Sequence, residues 1–320
     1  MLFGNYDLNK IVATDHPLRK MAAIINFNHL AIRFLKCLKP LGRRGYGLDV
    51  GLKTLFLQFC YDLSDREMEE RLRHDMAFRW FCAFEIDAVT PDHTYFGRIR
   101  TLLGANRVGK IFRLIVEKAE DQRIVRNVFT FVDATAIKTK ETTWAERDAA
   151  LADGAKALNN GNVENYSADK DARFGCKGKN KFWFGYKKHV GVDMGSGLIK
   201  KVAVTPANVP DQDGFKHICP TGGAVSGDKA YCLAAAQQAM KANNCHSMAI
   251  VKDNMKIKNK DKDRWLTKIR APFENVFSKD ETRARYRGIG KVQLQAFLES
   301  IVFNVKRLVA INAPPLLIGA

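Results

Sequence analysis

The sequence predicts an all-α N-terminal region followed by an α/β region, a mixed sheet flanked by helices. Three observations carry that expectation. Up to about residue 120, apolar side chains recur at three-and-four spacing, the signature of one helix face. Val128–Ile137 and two later runs are crowded with β-branched and aromatic residues. From Ala224 onward, short strand-like runs alternate with helical stretches.

Within the first region, Leu48, Leu52, Leu55, Phe56, Phe59 and Leu63 form one apolar stripe. Ser64 followed by Glu67 fits a capping box opening a second helix, with Met68 and Leu72 turned inward. Thr90–Pro91 reads as N-cap and first helical position, Phe96, Ile99 and Leu103 make the next stripe, and Gly104 is a stop signal. A last helix is expected over about 108–119. In the second region, residues 139–170 are polar and read as a surface excursion. FWFGYKKHVGVD and LIKKVAVTP, separated by Met194-Gly195-Ser196-Gly197, predict a hairpin. Ala224–Ser226 is expected to be a short strand leading into Gly227-Asp228, followed by a helix through Met240, a strand over MAIVK (248–252) and a C-terminal helix holding Val292–Val309. The domain expectation is therefore 1–120 helical and 121–320 mixed α/β, with a polar excursion near 139–180.

The 320 residues suffice for two ordinary domains, and 46% hydrophobic content fits a protein that buries a core. The formal charge of +18 bears on partners rather than fold, and a long polyanion is the first candidate. Lys170–Lys201 carries a net +7 and Lys256–Arg307 a net +8, nearly all of the excess. No apolar run approaches the roughly 18 residues of a membrane span, and no secretory leader is evident. The seven cysteines are scattered, without a CxxC pair, so free thiols in a reducing cytoplasm are expected rather than zinc sites or a disulfide framework.

Asp133 ends the hydrophobic run Phe129-Thr130-Phe131-Val132 and, by strand alternation, shares a side with Phe129 and Phe131. Asp228 stands in the same way after Ala-Val-Ser-Gly. Ligand sites in α/β sheets lie at the carboxyl ends of strands, so two such ends can bring two carboxylates together. Paired like charges call for a cation, and Mg²⁺ takes oxygen ligands of this kind. A turn or cap role is the plainer reading of each Asp alone. Residue type and spacing do not choose Glu274 over Glu281, Asp280 or Glu299 as a third ligand.

FVDATAI, DARFGCKGKNKFWFGYKKHVGVD (171–193), TPANVPD (205–211), GDKAYC (227–232), RAPFENVF (270–277) and RYRGIGK (285–291) follow in order. DHPLRK (15–20), GLDVGLKTLFLQF (47–59), YDLSDREMEERLR (61–73) and PDHTYFGRIR (91–100) precede them. Together they resemble the DDE transposases of bacterial insertion sequences, in the five-type group of the four-type superfamily, over nearly the whole chain. The resemblance implies a ribonuclease-H-like catalytic domain. It implies Asp133, Asp228 and Glu274 as catalytic metal ligands for two Mg²⁺ ions, with Mn²⁺ able to substitute. It further implies hydrolysis at transposon ends to free a 3′-OH, then attack of that hydroxyl on target DNA, without a covalent enzyme–DNA intermediate. The helical region would recognise the terminal inverted repeats, and a homodimer would hold two ends in the bacterial cytoplasm, at the nucleoid.

The chain departs from the superfamily's third-carboxylate motif. Arg270 and Glu274 fit it, but Thr267 stands at the Tyr position and Glu281 at the Lys position. Lys279, Arg283 or Arg285 are the candidate substitutes, and Pro272 is expected to begin or kink the helix that presents Glu274. For DNA backbone contact the candidates are Lys177, Lys179, Lys181, Lys187, Lys188, Arg270, Arg285, Arg287 and Lys291, each weighed against a solvated face. Trp183 is a candidate for base stacking or, at strand spacing, for core. The competing readings are a structure-specific nuclease of the same fold, a DNA-binding element protein without strand transfer, and a basic membrane-surface protein. The last is disfavoured because no basic amphipathic helix stands out.

Overall fold

The computed structural model describes residues 7–35, 45–139, 144–155, 158–178, 180–252, 254–255, 259–278 and 283–316, with the side chains of 34, 35, 144 and 274–278 excluded. The chain divides into two compact units, residues 1–124 with 298–320 and residues 125–297. Residues 298–320 thus group with the helical unit, where the sequence expectation kept 121–320 together.

The helical unit contains α1 (Leu8–Ile11), α2 (Pro17–Ile24), α3 (Phe27–Leu35), α4 (Leu48–Cys60), α5 (Asp65–His74), α6 (Met76–Cys82) and α7 (His93–Asp121). The apolar stripe of α4 is buried at Leu52, Leu55, Phe56 and Phe59. Phe56 packs with Phe27 and Phe81 at ring-centroid distances of 5.1 and 5.8 Å. The capping box forms as expected, Ser64 N–H donating to Glu67 at 2.7 Å and Glu67 N–H donating to Ser64 Oγ at 3.3 Å. One N-cap differs from expectation. Asp92, not Thr90, opens α7, because its carboxylate accepts the N–H groups of Thr94 and Tyr95 at 2.9 and 3.2 Å. Gly104, at φ +60°, interrupts α7 where a stop was expected.

The second unit holds β1 (Phe129–Lys138), α8 (Trp144–Ala152), α9 (Val163–Tyr166), β2 (Arg173–Lys177), β3 (Lys181–Asp193), β4 (Ile199–Pro206), α10 (Asp211–Gly214) with a 3₁₀ turn at Phe215–His217, β5 (Ala224–Gly227), α11 (Ala234–Ala242), β6 (His246–Ala249), α12 (Lys260–Ser278) and the first turns of α13 (Ile289–Ala310). The sheet is mixed. β3 is antiparallel to β1, β2 and β4, while β1 and β5, and β5 and β6, are parallel. Leaving β2 aside, the order β4-β3-β1-β5-β6 is that of a ribonuclease-H-like sheet, and Asp228 follows its fourth strand.

The β3–β4 hairpin forms as predicted, its turn closed by Asp193, whose carboxylate accepts Ser196 N–H and Oγ–H, both at 2.8 Å. Two details differ. β6 begins at His246 rather than Met248, set by its pairing to β5 from Ala224 onward. Arg173–Lys177, within the expected polar excursion, is a strand because β3 runs past the sheet and supplies it a partner. Pro272, expected to begin or kink the helix, lies inside α12. A proline there removes one i→i−4 bond, and the helix continues through it.

The core on one side of the sheet gathers Val132, Phe215, Ile218, Val225, Tyr231 and Met240. His189 is buried on β3, its ring bonded to Thr205 Oγ1 at 2.8 Å and lying against Gly214, where an added Cβ would stand 2.3 Å from the imidazole. Burial pulls its pKa down to about 4 against the opposing influence of Asp211, with Lys187 and His217 adding to the fall, so it is neutral at pH 7.

Candidate active site

Strand pairing brings the two aspartates together. β1 and β5 run in parallel with Phe131 opposite Ser226, so two residues further along Asp133 comes level with Asp228, the first residue beyond β5. On the other edge Asp133 faces Val190 and Thr135 faces Lys188. Each carboxylate is half-buried and fixed locally, Asp133 accepting the Ala134 N–H and Asp228 the Ala230 N–H, both at 2.8 Å.

Burial pushes the Asp133 carboxyl up to about 6, and the neighbouring Asp228 charge adds to the rise. The Ala134 N–H, Lys177 and Arg270 pull the other way and do not cancel it. Burial and then the charges of Asp133, Asp211 and Asp228 raise Tyr231 well above its usual range, so its hydroxyl stays protonated. That hydroxyl is buried with no hydrogen-bond partner among the described residues. Two neighbouring carboxylates, with Asp133 resisting ionisation, make a donor set a hard divalent cation satisfies. Among the described residues no group of three His, Cys, Asp or Glu side chains is placed to hold a metal, and the side chain of Glu274 lies outside them.

α12 covers the Asp133 side of the sheet. The Phe273 ring lies 6.0 Å from that of Phe131, which shares a side of β1 with Asp133. Arg270 acts electrostatically on Asp133 from the preceding turn. Glu274 follows Phe273 and stands four residues after Arg270, on the same face of the helix. Glu281 and Lys279 lie outside the described residues.

The expected DNA contacts separate into three groups. Lys177 and Lys181 are exposed near the tip of the β2–β3 hairpin, while Lys179 lies outside the described residues. Arg287 and Lys291 are exposed, and Arg285 is half-buried with its N–H donated to Gln295 at 2.9 Å. Asp169 and Asp171 secure that loop by accepting the N–H groups of Gly288 and Ile289, at 3.1 and 2.9 Å. Lys188 and Lys187 are corrections. Lys188 is 0% exposed, since both faces of β3 are covered at that point. Lys187 points to the opposite side from Asp133, where its ammonium meets Asp211 at 2.8 Å and the Val209 carbonyl at 2.9 Å. Trp183 is core, its indole N–H donating to the Tyr186 carbonyl at 3.2 Å.

Two residues escaped the sequence reading. Tyr231, three positions after Asp228, carried a helix-turn spacing that could have drawn it in. Asp169, which also accepts the Tyr186 hydroxyl at 2.6 Å, lies in the polar excursion and gave no local signal.

Two family models match the chain, one described as a transposase domain (DUF772) over residues 6–102 and one as a transposase DDE domain over residues 126–302. Among solved structures the chain resembles a piggyBac transposase synaptic complex with hairpin DNA, at 9% identity over 93% of this chain and 76% of that one, with a TM-score of 0.38. It also resembles a Mos1 transposase paired-end complex with left transposon end, at 7% identity over 87% and 81%, with a TM-score of 0.18. Among the described residues no helix is long and apolar enough to cross a membrane.

Proposed function

The chain belongs to the family of transposases with a DDE domain, and from that premise we propose that Asp133, Asp228 and Glu274 form its one catalytic site. It is an enzyme of transposition, a nuclease and strand transferase, and DDE domains work with divalent metal ions. The observation that carries the assignment is the Asp133–Asp228 pair, Asp133 within β1 and level with Asp228 just beyond the end of the parallel strand β5, with Asp133 pushed up to about 6. The Phe131–Phe273 contact supports Glu274 as the third member, because it brings the turn of α12 that bears Glu274 over the same side of the sheet.

Two Mg²⁺ ions, replaceable by Mn²⁺, are the proposed occupants. Asp133, Asp228 and Glu274 would hold them, and the bound ions would supply charge neutralisation at the phosphate and activation of the attacking oxygen. The residues of the chain orient the substrate. Arg270, beside Asp133, holds a non-bridging phosphate oxygen of the scissile position. Lys177, Lys181, Arg287 and Lys291 bind the flanking backbone, where contacts position the DNA without reading its sequence. Tyr231, kept protonated, offers its hydroxyl as a donor behind the carboxylate pair. Hydrolysis frees a 3′-OH and the same site then directs that hydroxyl at target DNA, since each step is an in-line phosphoryl displacement. The helical N-terminal unit recognises the terminal inverted repeats, and a homodimer pairs two ends.

The test supplies a labelled duplex carrying the element's terminal repeat together with a target duplex and Mg²⁺. A joined product with a donor 3′ end covalently linked to target is expected. Cut ends without joining would make the protein a nuclease only, and binding without cutting would leave a DNA-binding element protein.

A further inference from the structure

Residues 283–288, just ahead of α13, read RARYRG. Surface connections of this kind are ordinarily the loosest part of a fold. This one is tied along its length. Ala284 N–H donates to the Lys138 carbonyl at the end of β1, at 2.8 Å. Gln295, on α13, donates to the Arg283 carbonyl at 3.0 Å and accepts the Arg285 N–H at 2.9 Å. Asp169 accepts the Gly288 N–H at 3.1 Å, and Asp171 accepts the Ile289 N–H at 2.9 Å.

The anchors are of two kinds. Asp171 is exposed and takes an N–H at the first residue of α13, so it acts as a helix cap supplied by a distant segment. Asp169 and Gln295 are buried, 3% and 0% exposed, and both hold the backbone of the arginine loop itself. A buried carboxylate is unfavourable unless partnered. One oxygen of Asp169, Oδ1, accepts both the Gly288 N–H and, at 2.6 Å, the hydroxyl of Tyr186, which is fully buried on β3. The side chains of Arg283 and Arg287, by contrast, are exposed. The main chain is held from inside and the guanidinium groups are left outward.

We propose that Asp169 and Gln295 are positioning residues for DNA, fixing the 283–288 backbone so that Arg283 and Arg287 meet strand phosphates in a loop that is already ordered. The inference rests on the transposase reading, in which Arg287 contacts the DNA backbone. Three observations carry it. The loop is bound to the strand that bears Asp133, Arg283 bridging to Lys138 five residues further along β1. The anchors grip main chain and leave the arginine forks to a partner, and a planar fork pairs with phosphate only in the right orientation. Ordering the loop beforehand removes the cost of immobilising it on binding, and phosphate contacts are the ones that set the register of DNA on a protein.

The salt dependence of duplex binding in EDTA tests this without catalysis. Arg283→Ala with Arg287→Ala should lower the slope by about 2. Asp169→Ala and Gln295→Met should each weaken binding and lower the slope by about 1, although neither removes a cation. Loss of a carboxylate would by simple charge tighten DNA binding, so the expected sign is opposite to plain electrostatics. In protein lacking both arginines, neither substitution should lower the slope further. Asp169→Asn keeps the Oδ1 acceptor and should bind with the wild-type slope. With Mg²⁺, single-turnover cleavage at saturating protein should fall roughly tenfold to a hundredfold in Asp169→Ala and hold in Asp169→Asn. If Asp169→Ala does not fold, Gln295→Met carries the test from the other end of the loop. Folded variants that melt earlier but keep the wild-type slope overturn the inference, as does a further fall in the protein without the arginines. Wild type and variants that show these slopes while wild type cuts nothing in Mg²⁺ overturn the proposed catalysis and leave the positioning standing.

Discussion

Asp133 spends its time in the metal-free protein close to its own protonation point. Its pKa is raised from 3.8 to about 6 by burial and by Asp228. Folding therefore favours the protonated form, so the stability it contributes is full below about pH 4 and is lost as the pH rises through about 6. At pH 7 the ionised side chain costs the metal-free fold about 1–3 kcal/mol, allowing for its partial contact with solvent. Asp133→Asn, which cannot ionise, should accordingly be more stable than wild type at pH 7 in EDTA and equal to it at pH 4, while losing catalysis. Urea unfolding at the two pH values reads this directly, and an Asn variant less stable at pH 7 would refute it. A divalent ion held between the carboxylates would relieve both the burial of charge and the Asp228 repulsion that raise this pKa.

At the scale of elements, Gly185 is where β3 stops being sheet and becomes ribbon. Its φ is +147°, and an added Cβ would lie 2.2 Å from the Ile137 carbonyl oxygen and 2.8 Å from the Thr139 nitrogen. Gly185→Ala combines a left-handed backbone cost with a clash against main chain, and should destabilise by about 2–5 kcal/mol. Gly178→Ala, also at positive φ but with open space around it, should cost only about 1–2 kcal/mol. Denaturation midpoints of the two variants should differ in that order. What the sequence made legible at this scale follows from how local the signals are. The α4 stripe, the Ser64–Glu67 box, β1 and the β3–β4 hairpin each announce themselves within a few residues. Asp92 displaced Thr90 as a cap because two good cap residues stood two positions apart. β2 was missed because, among the described residues, the strand it pairs with is one that overruns the sheet. Lys187 and Lys188 were misread because alternation sorts residues onto two faces without saying that both are covered. Asp133 and Asp228 were legible as a possible pair, although only Asp228 follows a strand end while Asp133 lies within β1; Glu274 came from family resemblance alone, since nothing in its own spacing separates it from Glu281.

For the whole molecule the formal charge of +18 dominates its dealings with a polyanion. Each cation that meets a phosphate releases counterions and steepens the salt dependence of binding by about one unit of slope. Lys177→Ala with Lys181→Ala should lower that slope by about 2 on any DNA sequence. Lys187→Ala is the internal control, because its ammonium is committed to Asp211 and Val209, and its slope should match wild type. Filter binding across a salt series separates the two, and an equal fall in both would mean that the surface has been assigned to the wrong lysines.

The central claim is that three carboxylates from β1, the end of β5 and α12 act as one site. Cleavage of a labelled duplex carrying the element's terminal repeat, in Mg²⁺, measures it most directly when wild type is set beside Asp133→Ala, Asp228→Ala and Glu274→Ala. Wild type should leave a 3′-OH at the element's end, and all three variants should bind the duplex without cutting it. A Glu274→Ala protein that still cuts would contradict the claim, and would send the search for the third ligand to Glu281.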